Sequence, residues 1–387
     1  MKVTDAGGLF AKDTAQITVN PEQPPPPSSC DPLNRPQINA QLILVGTLSE
    51  ARSNISVASV GNKILFAGGY NSSGSPSSKV DIYDIATLTW STAQLSIART
   101  GIAAIGAGNK IYFAGGDSVN NITGVWTHTS RVDIYDVASN TWSTAELSEA
   151  RKDIAVAIVG NKIMYAGGDN GYTCSICTSN KVDVYDQSTN IWSVATLSIA
   201  RTGLSATTAG NKIYFAGGNE IWGGTNNTGV HDRIYIYDNT TDTWSTSVLN
   251  ERKGHPGSIA LGNYIYWAGG ETWSNFNDYV ETCTVEKRDL TNGTSTISNL
   301  FQPSVNQALL KNSSIVFAVV AQYDFFNTGQ QFEIYNTISD VWSIGILNQT
   351  LPFHCGAISV NNIIYIAGGT INNNAANPTN QVWKLEF

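Results

Sequence analysis

Short apolar runs recur along this chain, and most of them end in a pair of glycines. The pairs lie at positions 68–69, 115–116, 167–168, 217–218, 269–270 and 368–369. One further copy is degenerate, because Val319 and Val320 stand where its glycines would be. The copies are separated by about 50 residues, and a fixed period of that length indicates a repeat architecture.

Each copy of the repeat predicts four short β-strands. In the second copy, apolar segments at 101–105 and 110–114 predict two buried strands, and residues 131–135 alternate between polar and apolar. A turn of Asp, Ser and Asn residues precedes a fourth strand that begins at Thr141. Short strands separated by turn signals indicate an all-β protein. Four antiparallel strands per unit, in seven units, favour a seven-bladed β-propeller.

The residue types at fixed positions suit packing between blades. Glycine pairs permit close approach of a neighbouring backbone, and a Tyr in strand three with a Trp in strand four can fill the space between blades. An Arg follows strand four in several copies. This pattern resembles the kelch repeat, which implies a seven-bladed kelch-type β-propeller over residues 38–387. The Arg copies are Arg52, Arg99, Arg151, Arg201 and Arg252.

Two copies depart from the pattern, and one strand is displaced along the chain. The fifth copy has Arg288 and Ser295 in place of the Tyr and Trp, and the sixth lacks the glycine pair and the Arg. The last copy has only three strands, whereas residues 41–48 align with the fourth strand of other copies. We therefore predict that residues 41–48 close the last blade. Deleting residues 38–50 should lower the melting temperature far more than deleting residues 1–20.

The first 37 residues do not follow the repeat. Residues 1–20 predict a hairpin, with a turn at 5–8 and a strand at 14–19, and residues 21–37 form a Pro-rich linker. The hairpin resembles the end of a PKD or cadherin-like extracellular domain. That resemblance implies an exported, bacterial surface protein with an extracellular location, although residues 1–25 carry no signal-peptide pattern.

Composition excludes some classes of partner. The chain has 387 residues, of which 13% are charged, and its net charge is −8. An acidic chain is poorly suited to nucleic acid or to an anionic membrane surface, and no apolar stretch is long enough for a membrane helix. We expect a monomeric propeller that does not insert into a membrane.

Candidate binding residues lie in the loops that escape the repeat. In a propeller, the loops between strands two and three emerge on the same face as those that lead into strand one. In kelch proteins this face commonly holds the ligand. Three Trp residues in these loops lie outside the repeat's own Trp position, and we predict that they form a sugar-binding platform or fold back to cap the loops. The loop candidates are Trp126, His128, Glu220, Trp222, Glu271 and Trp273.

A second set of candidates follows the repeat Arg by two residues. By resemblance to kelch proteins, these residues face the central depression. The set comprises Asn54, Gly101, Asp153, Gly203 and Gly254, with His255 next to the last of them.

The cysteines and histidines do not form a recognisable metal or cofactor site. Cys174 and Cys177 are predicted to form a disulfide within one loop, and Cys30 could meet Cys355, which would leave Cys283 unpaired. No second Cys pair or His pair with zinc spacing accompanies them. We therefore predict no metal and no cofactor.

These observations favour a non-enzymatic module that binds a glycan or a protein. The first alternative is a carbohydrate-active kelch enzyme of the sugar oxidase or mutarotase type, with Asp153, Glu220 and Glu271 as the acid residues. The galactose oxidase family uses a Tyr-His pair that this chain lacks, and no mutarotase site can be carried over. The second alternative is a cytoplasmic adaptor for protein substrates.

Overall fold

The computed structural model describes residues 3–4, 10–11, 30, 35–120, 122–171, 177–220, 229–273, 279–313, 316–323, 330–371 and 377–387. Within these ranges the regular structure is β-strand, without an α-helix. The same ranges contain no helix that is long and apolar enough to cross a membrane. The predicted all-β class is confirmed.

Residues near the N-terminus form a short antiparallel ladder. Strand β1 (Val3–Thr4) pairs with β2 (Phe10–Ala11). The strand predicted at 14–19 and the Pro-rich part of the linker lie outside the described residues. The likeness to a PKD or cadherin-like domain stays a prediction.

Five repeat units each form a separate four-stranded antiparallel sheet, as predicted. The hairpin turns carry Asp or Asn residues that accept local backbone hydrogen bonds, for example from Ala138 and Ser139 to Asp136. The five sheets comprise β5 (Ser56–Val60), β6 (Lys63–Ala67), β8 (Lys79–Asp84) and β9 (Thr89–Gln94); β10 (Ala103–Ala107), β11 (Lys110–Ala114), β14 (Arg131–Asp136) and β15 (Thr141–Glu146); β16 (Ala155–Val159), β17 (Lys162–Ala166), β18 (Lys181–Asp186) and β19 (Ile191–Thr196); β20 (Thr202–Ala209), β21 (Lys212–Asn219), β22 (Arg233–Asp238) and β23 (Thr243–Val248); and β24 (Gly257–Leu261), β25 (Tyr264–Ala268), β28 (Thr284–Asp289) and β29 (Ser295–Asn299).

The sixth and seventh repeat units share one eight-stranded sheet. Its order is β30-β31-β32-β33-β3-β36-β35-β34. The strands are β3 (Gln37–Thr47), β30 (Val305–Lys311), β31 (Val316–Tyr323), β32 (Gln331–Asn336), β33 (Val341–Leu347), β34 (Gly356–Val360), β35 (Ile363–Ala367) and β36 (Gln381–Glu386).

Strand β3 explains why the described residues form six large sheets and not the seven that the sequence predicts. Its first part, residues 37–40, pairs in parallel with β33. Its second part, residues 41–47, pairs antiparallel with β36, which confirms the predicted closure of the last blade. One strand thus hydrogen-bonds two neighbouring units and merges their sheets.

The hydrophobic cores lie between consecutive units. Tyr135 and Trp142 of the second unit are directly opposite each other across two strands, with ring centroids 5.0 Å apart. They pack against Ala58 and Leu65 of the first unit. The glycine pair has a matching role, because a Cβ on Gly115 (φ +66°) would collide with the carbonyl oxygen of the next unit's repeat Arg. The predicted close backbone approach is confirmed.

The repeat Arg residues are structural. Arg99 is fully buried, donates to the carbonyl oxygens of Gly115 (2.8 Å) and Arg131 (2.6 Å), and forms an ion pair with Asp133. The Asp133 carboxylate also accepts from the backbone N–H of Ser96 at 3.0 Å. Each such group fastens the loop before strand one to the end of strand two. Arg52 and Arg151 repeat the arrangement with Asp81 and Asp183.

In the fifth unit the sequence prediction is wrong by one residue. Lys253, not Arg252, is fully buried in the Arg position, and its Nζ donates to the carbonyl oxygens of Gly269 and Thr284 at 3.1 Å each. His255, not Gly254, is consequently the residue two positions further on. Residue type alone does not distinguish two adjacent cations, but Lys253 lies 16 residues before Gly269, as the repeat Arg does before the first glycine in the other units.

Cys30 does not meet Cys355, the pairing that the sequence had left open. Cys30 is bonded to Cys283, with their Cα atoms 5.6 Å apart, and Cys355 is a buried free thiol. The reason lies in the path of the segment before β3: Arg35 is anchored by an ion pair with Glu333 of the sixth unit and lies over the ring of Trp342. This path passes the fifth and sixth units, so Cys30 does not reach Cys355.

Only one of the two cysteines of the predicted loop disulfide, Cys174 and Cys177, is among the described residues. Cys177 is disulfide-bonded, whereas Cys174 lies outside the described residues. The assignment of Cys174 as its partner stays a prediction.

Candidate functional site

The two sets of loops meet on one face, as predicted. In the second, third and fifth units, the loop before strand one bridges to the residue that follows the glycine pair: Thr100 to Asp117, Lys152 to Asp169, and Gly254 to Glu271. In the first unit, β4 (Arg52–Ser53) pairs with β7 (Tyr70–Asn71) in the same way. Two further short ladders extend this face, β12 (Asp117–Val119) with β13 (Trp126–His128) and β26 (Glu271–Trp273) with β27 (Tyr279–Glu281).

A cavity of about 550 Å³ opens between the loops of the first, second, third and seventh units. Its wall contains the apolar side chains of Ile55, Ile102 and Ile154, which directly precede strands β5, β10 and β16. Polar groups surround these apolar side chains, and they are Asn54, Tyr70, Thr100, Asp117, Lys152, Asp153 and His354. A concave site with an apolar wall and a few convergent polar groups is typical of small-molecule binding.

One position of the repeat adopts a left-handed backbone in six units. Glycine occupies it in two of them, and four units instead carry a side chain at a φ of 50° to 54°. The six residues are Asn54, Gly101, Asp153, Gly203, His255 and His354. Glycine adopts this conformation freely, whereas other residues adopt it at a cost of about 1 kcal/mol or more. Strained residues of this kind cluster at functional sites.

A network of four charged groups stands at one side of the cavity. The imidazole of His128 bonds to Asp117 through Nδ1 and approaches Asp169 at 3.3 Å through Nε2. The Lys152 ammonium reaches the same two carboxylates at 3.0 and 3.8 Å. Burial alone would lower the pKa of His128, but its interactions with the acceptor carboxylates of Asp117 and Asp169 outweigh burial and raise that pKa to about 9. The network ties the second unit to the third.

Asp153 differs from the other acids at this face. Its side chain is exposed to the water of the cavity. Among the residues that the structure describes, none forms an ion pair or a hydrogen bond with its carboxylate. The enclosing protein raises the pKa of Asp153 by desolvation, and the neighbouring Lys152 and His255 oppose that effect only in part.

A second group of hydrogen-bonded polar side chains lies between the fourth and fifth units. The His255 Nδ1 lies 3.1 Å from Glu271, whose carboxylate also accepts from the amide of Asn219. Burial would raise the pKa of Glu271, but the hydrogen bonds from His255 and Asn219 lower it below its usual range. The His255 ring also explains a neighbouring glycine, because a Cβ on Gly203 would lie 2.6 Å from its Nε2.

The predicted loop aromatics are placed only in part. Trp126 is half-buried, and its ring meets that of Tyr70 edge-on at 6.0 Å. Tyr70 itself lines the cavity. Trp222 lies outside the described residues, and only the backbone of Trp273 is described, in β26. The three-Trp platform therefore stays a prediction for two of its members.

The remaining predicted residues separate into three groups. Asn54 and Asp153 line the cavity, while His128 belongs to the charged network at its side. His255 and Glu271 form the second group. Glu220 pairs with His231 at 3.1 Å in an exposed loop.

The sequence analysis missed several residues of the cavity and its charged network. They are Tyr70, Asp117, Lys152, Asp169 and His354. A positional signal could have found most of them: Tyr70, Asp117 and Asp169 each follow a glycine pair directly. His354 occupies the left-handed position of the seventh unit. Over the described ranges, no group of three or more His, Cys, Asp or Glu residues could hold a metal ion.

Comparison with known proteins finds similarity to one type of repeat over part of the chain. A family model described as the KLHDC2/KLHL20/DRC7 Kelch-repeats domain matches residues 37–218. The solved structure of YjhT is similar over 87% of this chain and 95% of that chain, with a TM-score of 0.55 and 12% sequence identity. At this sequence identity the similarity shows a shared fold and nothing about function. No curated protein matches the chain in sequence. The family match and the arrangement of the sheets together support a kelch β-propeller.

Proposed function

We propose that this kelch-type propeller is a non-enzymatic binding module that takes a sugar residue of a glycan into the cavity. The observation that carries the proposal is the left-handed position. Glycine at 101 and 203 satisfies the backbone there, yet Asn54, Asp153 and His354 retain side chains that line the cavity. Side chains kept at a conformational cost, and directed to one cavity, favour a role in binding over a role in folding.

The chemistry of the cavity suits a sugar. Sugars present hydroxyl groups and an apolar ring face. The cavity offers carboxylate, amide and imidazole groups beside Ile102 and Ile154. The Tyr70 and Trp126 rings at its edge provide an aromatic surface. A protein ligand that inserts one loop would meet the same groups, so it is the competing outcome of the test.

We further propose that the protein acts outside the cell. The Cys30–Cys283 bond supports this location, because disulfides persist in oxidising compartments and are rare in the cytosol. The disulfide state of Cys177 supports it as well. These bonds weigh against the cytoplasmic adaptor.

The test is a glycan array together with a pull-down from surface extracts. Asn54→Gly and Asp153→Gly remove cavity side chains and keep the backbone conformation. Leu88→Gly is the matched control, because Leu88 is also left-handed (φ 57°) but is exposed in a hairpin turn of the first unit. We expect the cavity variants to lose binding and the control to retain it. Cavity variants that bind every ligand as well as the parent would overturn the proposal.

The carbohydrate-active enzyme remains the second candidate because of one observation. Asp153 faces the cavity with a raised pKa, which is the property that a general acid requires. The other two predicted acids do not join it, since Glu271 bonds to His255 and Glu220 to His231. Incubation with a sugar panel, followed by NMR for oxidation, cleavage or exchange of anomers, tests this candidate. An unchanged panel would reject it.

A further inference from the structure

We propose that the cavity selects a sugar residue that carries a free, protonated amine, and that Asp153 is the group that binds this amine. The inference rests on the proposed sugar-binding function and narrows its ligand class. It starts from the charges around the cavity, which do not balance.

The charged network is neutral within itself. His128 and Lys152 contribute two positive charges, and Asp117 and Asp169 contribute two negative ones. Each cation lies within 3.8 Å of an oxygen of both carboxylates. The ammonium of Lys152 is therefore already engaged by two carboxylates. Further round the ring, the carboxylate of Glu271 is likewise engaged by His255.

Asp153 is left as the uncompensated charge. Its carboxylate is exposed in the cavity, and no described side chain pairs with it. It is also held in a left-handed conformation, at the position where two other units use glycine. An anionic ligand would be repelled by this group, and a neutral ligand would leave it unpaired. A protonated amine would form a charge-assisted hydrogen bond with it, which is about twice as strong as a neutral one.

The aromatic edge of the cavity favours the same ligand charge. Tyr70 lines the cavity close enough to Asp153 for the two groups to interact electrostatically, and Trp126 stands behind Tyr70. The faces of such rings attract cations. A carboxylate and an aromatic ring within one cavity are the two groups that recognise an ammonium.

The experiment compares free and blocked amines on one sugar scaffold. Binding of glucosamine, galactosamine, their N-acetyl forms, glucose and glucuronic acid is measured by titration calorimetry and ligand-observed NMR. We expect the free amino sugars to bind about tenfold more tightly than the N-acetyl and neutral forms, a preference worth one charge-assisted hydrogen bond. Asp153→Asn should remove the preference.

Two further arms separate the charge of Asp153 from other effects. Glu146→Gln is the matched control, because it removes one exposed carboxylate on outer strand β15, where it pairs with Arg131. It should leave the preference intact. Lowering the pH should weaken amine binding to the parent, since protonation of a carboxyl with a raised pKa removes the acceptor charge, and should not affect Asp153→Asn.

The outcomes distinguish this inference from the proposed function. Neutral or acidic sugars that bind as well as amino sugars would overturn the amine selectivity and leave sugar binding in place. A preference that survives Asp153→Asn would also overturn it. If none of these sugars and no member of the glycan array binds, the proposed function and this inference fail together.

Discussion

Replacing Asp153 by glycine or by alanine separates a side chain kept for binding from one kept for folding. Asp153 has a φ of 50° and no described side-chain partner. Changing it to glycine relieves about 1 kcal/mol of left-handed strain. It also adds about 0.5–1 kcal/mol of conformational freedom to the unfolded chain. Because these two contributions oppose each other, Asp153→Gly should change the free energy of unfolding by only about 0.5 kcal/mol or less.

Alanine behaves differently at the same position. It keeps the Cβ that causes the strain and lacks the short polar side chain that makes Asp and Asn tolerant of this conformation. We therefore expect Asp153→Ala to be about 1 kcal/mol less stable than Asp153→Gly. Neither variant carries the carboxylate, so the gap between glycine and alanine reports the left-handed strain of alanine less the extra conformational freedom of glycine in the unfolded chain.

The assay is urea unfolding followed by Trp fluorescence, paired with the binding measurements above. Leu88→Gly and Leu88→Ala provide the matched pair at an exposed left-handed position far from the cavity. A loss of more than about 1.5 kcal/mol in Asp153→Gly would show that the carboxylate holds the fold together. That result would refute the reasoning that assigns this side chain to binding.

Three other perturbations follow from single features of the structure. Leu88→Asn should stabilise the protein by about 1–2 kcal/mol in urea unfolding. Asn tolerates the left-handed turn and can accept a hydrogen bond from the Tyr83 hydroxyl, as Asn140 does from Tyr135 in the matching turn. An unchanged urea midpoint would contradict this. The ion pairs of His128 raise its pKa from an ordinary 6.5 to about 9. Their contribution of about 3 kcal/mol to the free energy of unfolding should be complete below about pH 6.5 and lost as the pH rises through about 9. A His128→Gln variant whose unfolding free energy falls with the same slope at alkaline pH would disprove this. Reducing the disulfide between Cys30 and Cys283, which are 253 residues apart, should lower the melting temperature. Loop entropy sets an upper limit of about 5 kcal/mol on the stability that is lost. Equal melting temperatures with and without reductant would rule this out.

The sequence predicts the blades well because each blade feature has a local physical cause. The glycine pair is an example: Gly115 has a positive φ and no room for a Cβ, so the residue type itself records the neighbouring backbone. Tyr135 and Trp142 are opposite each other in one hairpin, and their spacing in sequence fixes that register. Such features repeat in most units, which makes them visible without a structure.

The failures have causes that are not local. The choice of Arg252 over Lys253 is the exception, because the constant step of 16 residues from the repeat cation to the first glycine, as from Arg99 to Gly115, points to Lys253. The partner of Cys30 depends on the path of a segment that Arg35 fastens across the ring. The number of separate sheets depends on one strand that pairs with two units at once. Spacing along a chain carries no information on the disulfide partner or on the shared strand.

The position of the cavity follows from the same division between repeated and unrepeated positions. Residues that face a neighbouring blade are constrained by packing in every unit, so they remain alike and cannot form an asymmetric site. Residues that line the cavity do not pack against a neighbouring blade, so each unit can supply a different group. These groups include an amide from Asn54, a carboxylate from Asp153 and an imidazole from His354. The described lining of the cavity comes from four of the repeat units, with Asp117, Lys152 and Asp153 in the second and third units and Asn54 and His354 in the first and seventh. A ligand held there must therefore lie off the axis, with a cationic end toward Asp153 and a hydrogen-bonding end toward Asn54 and His354.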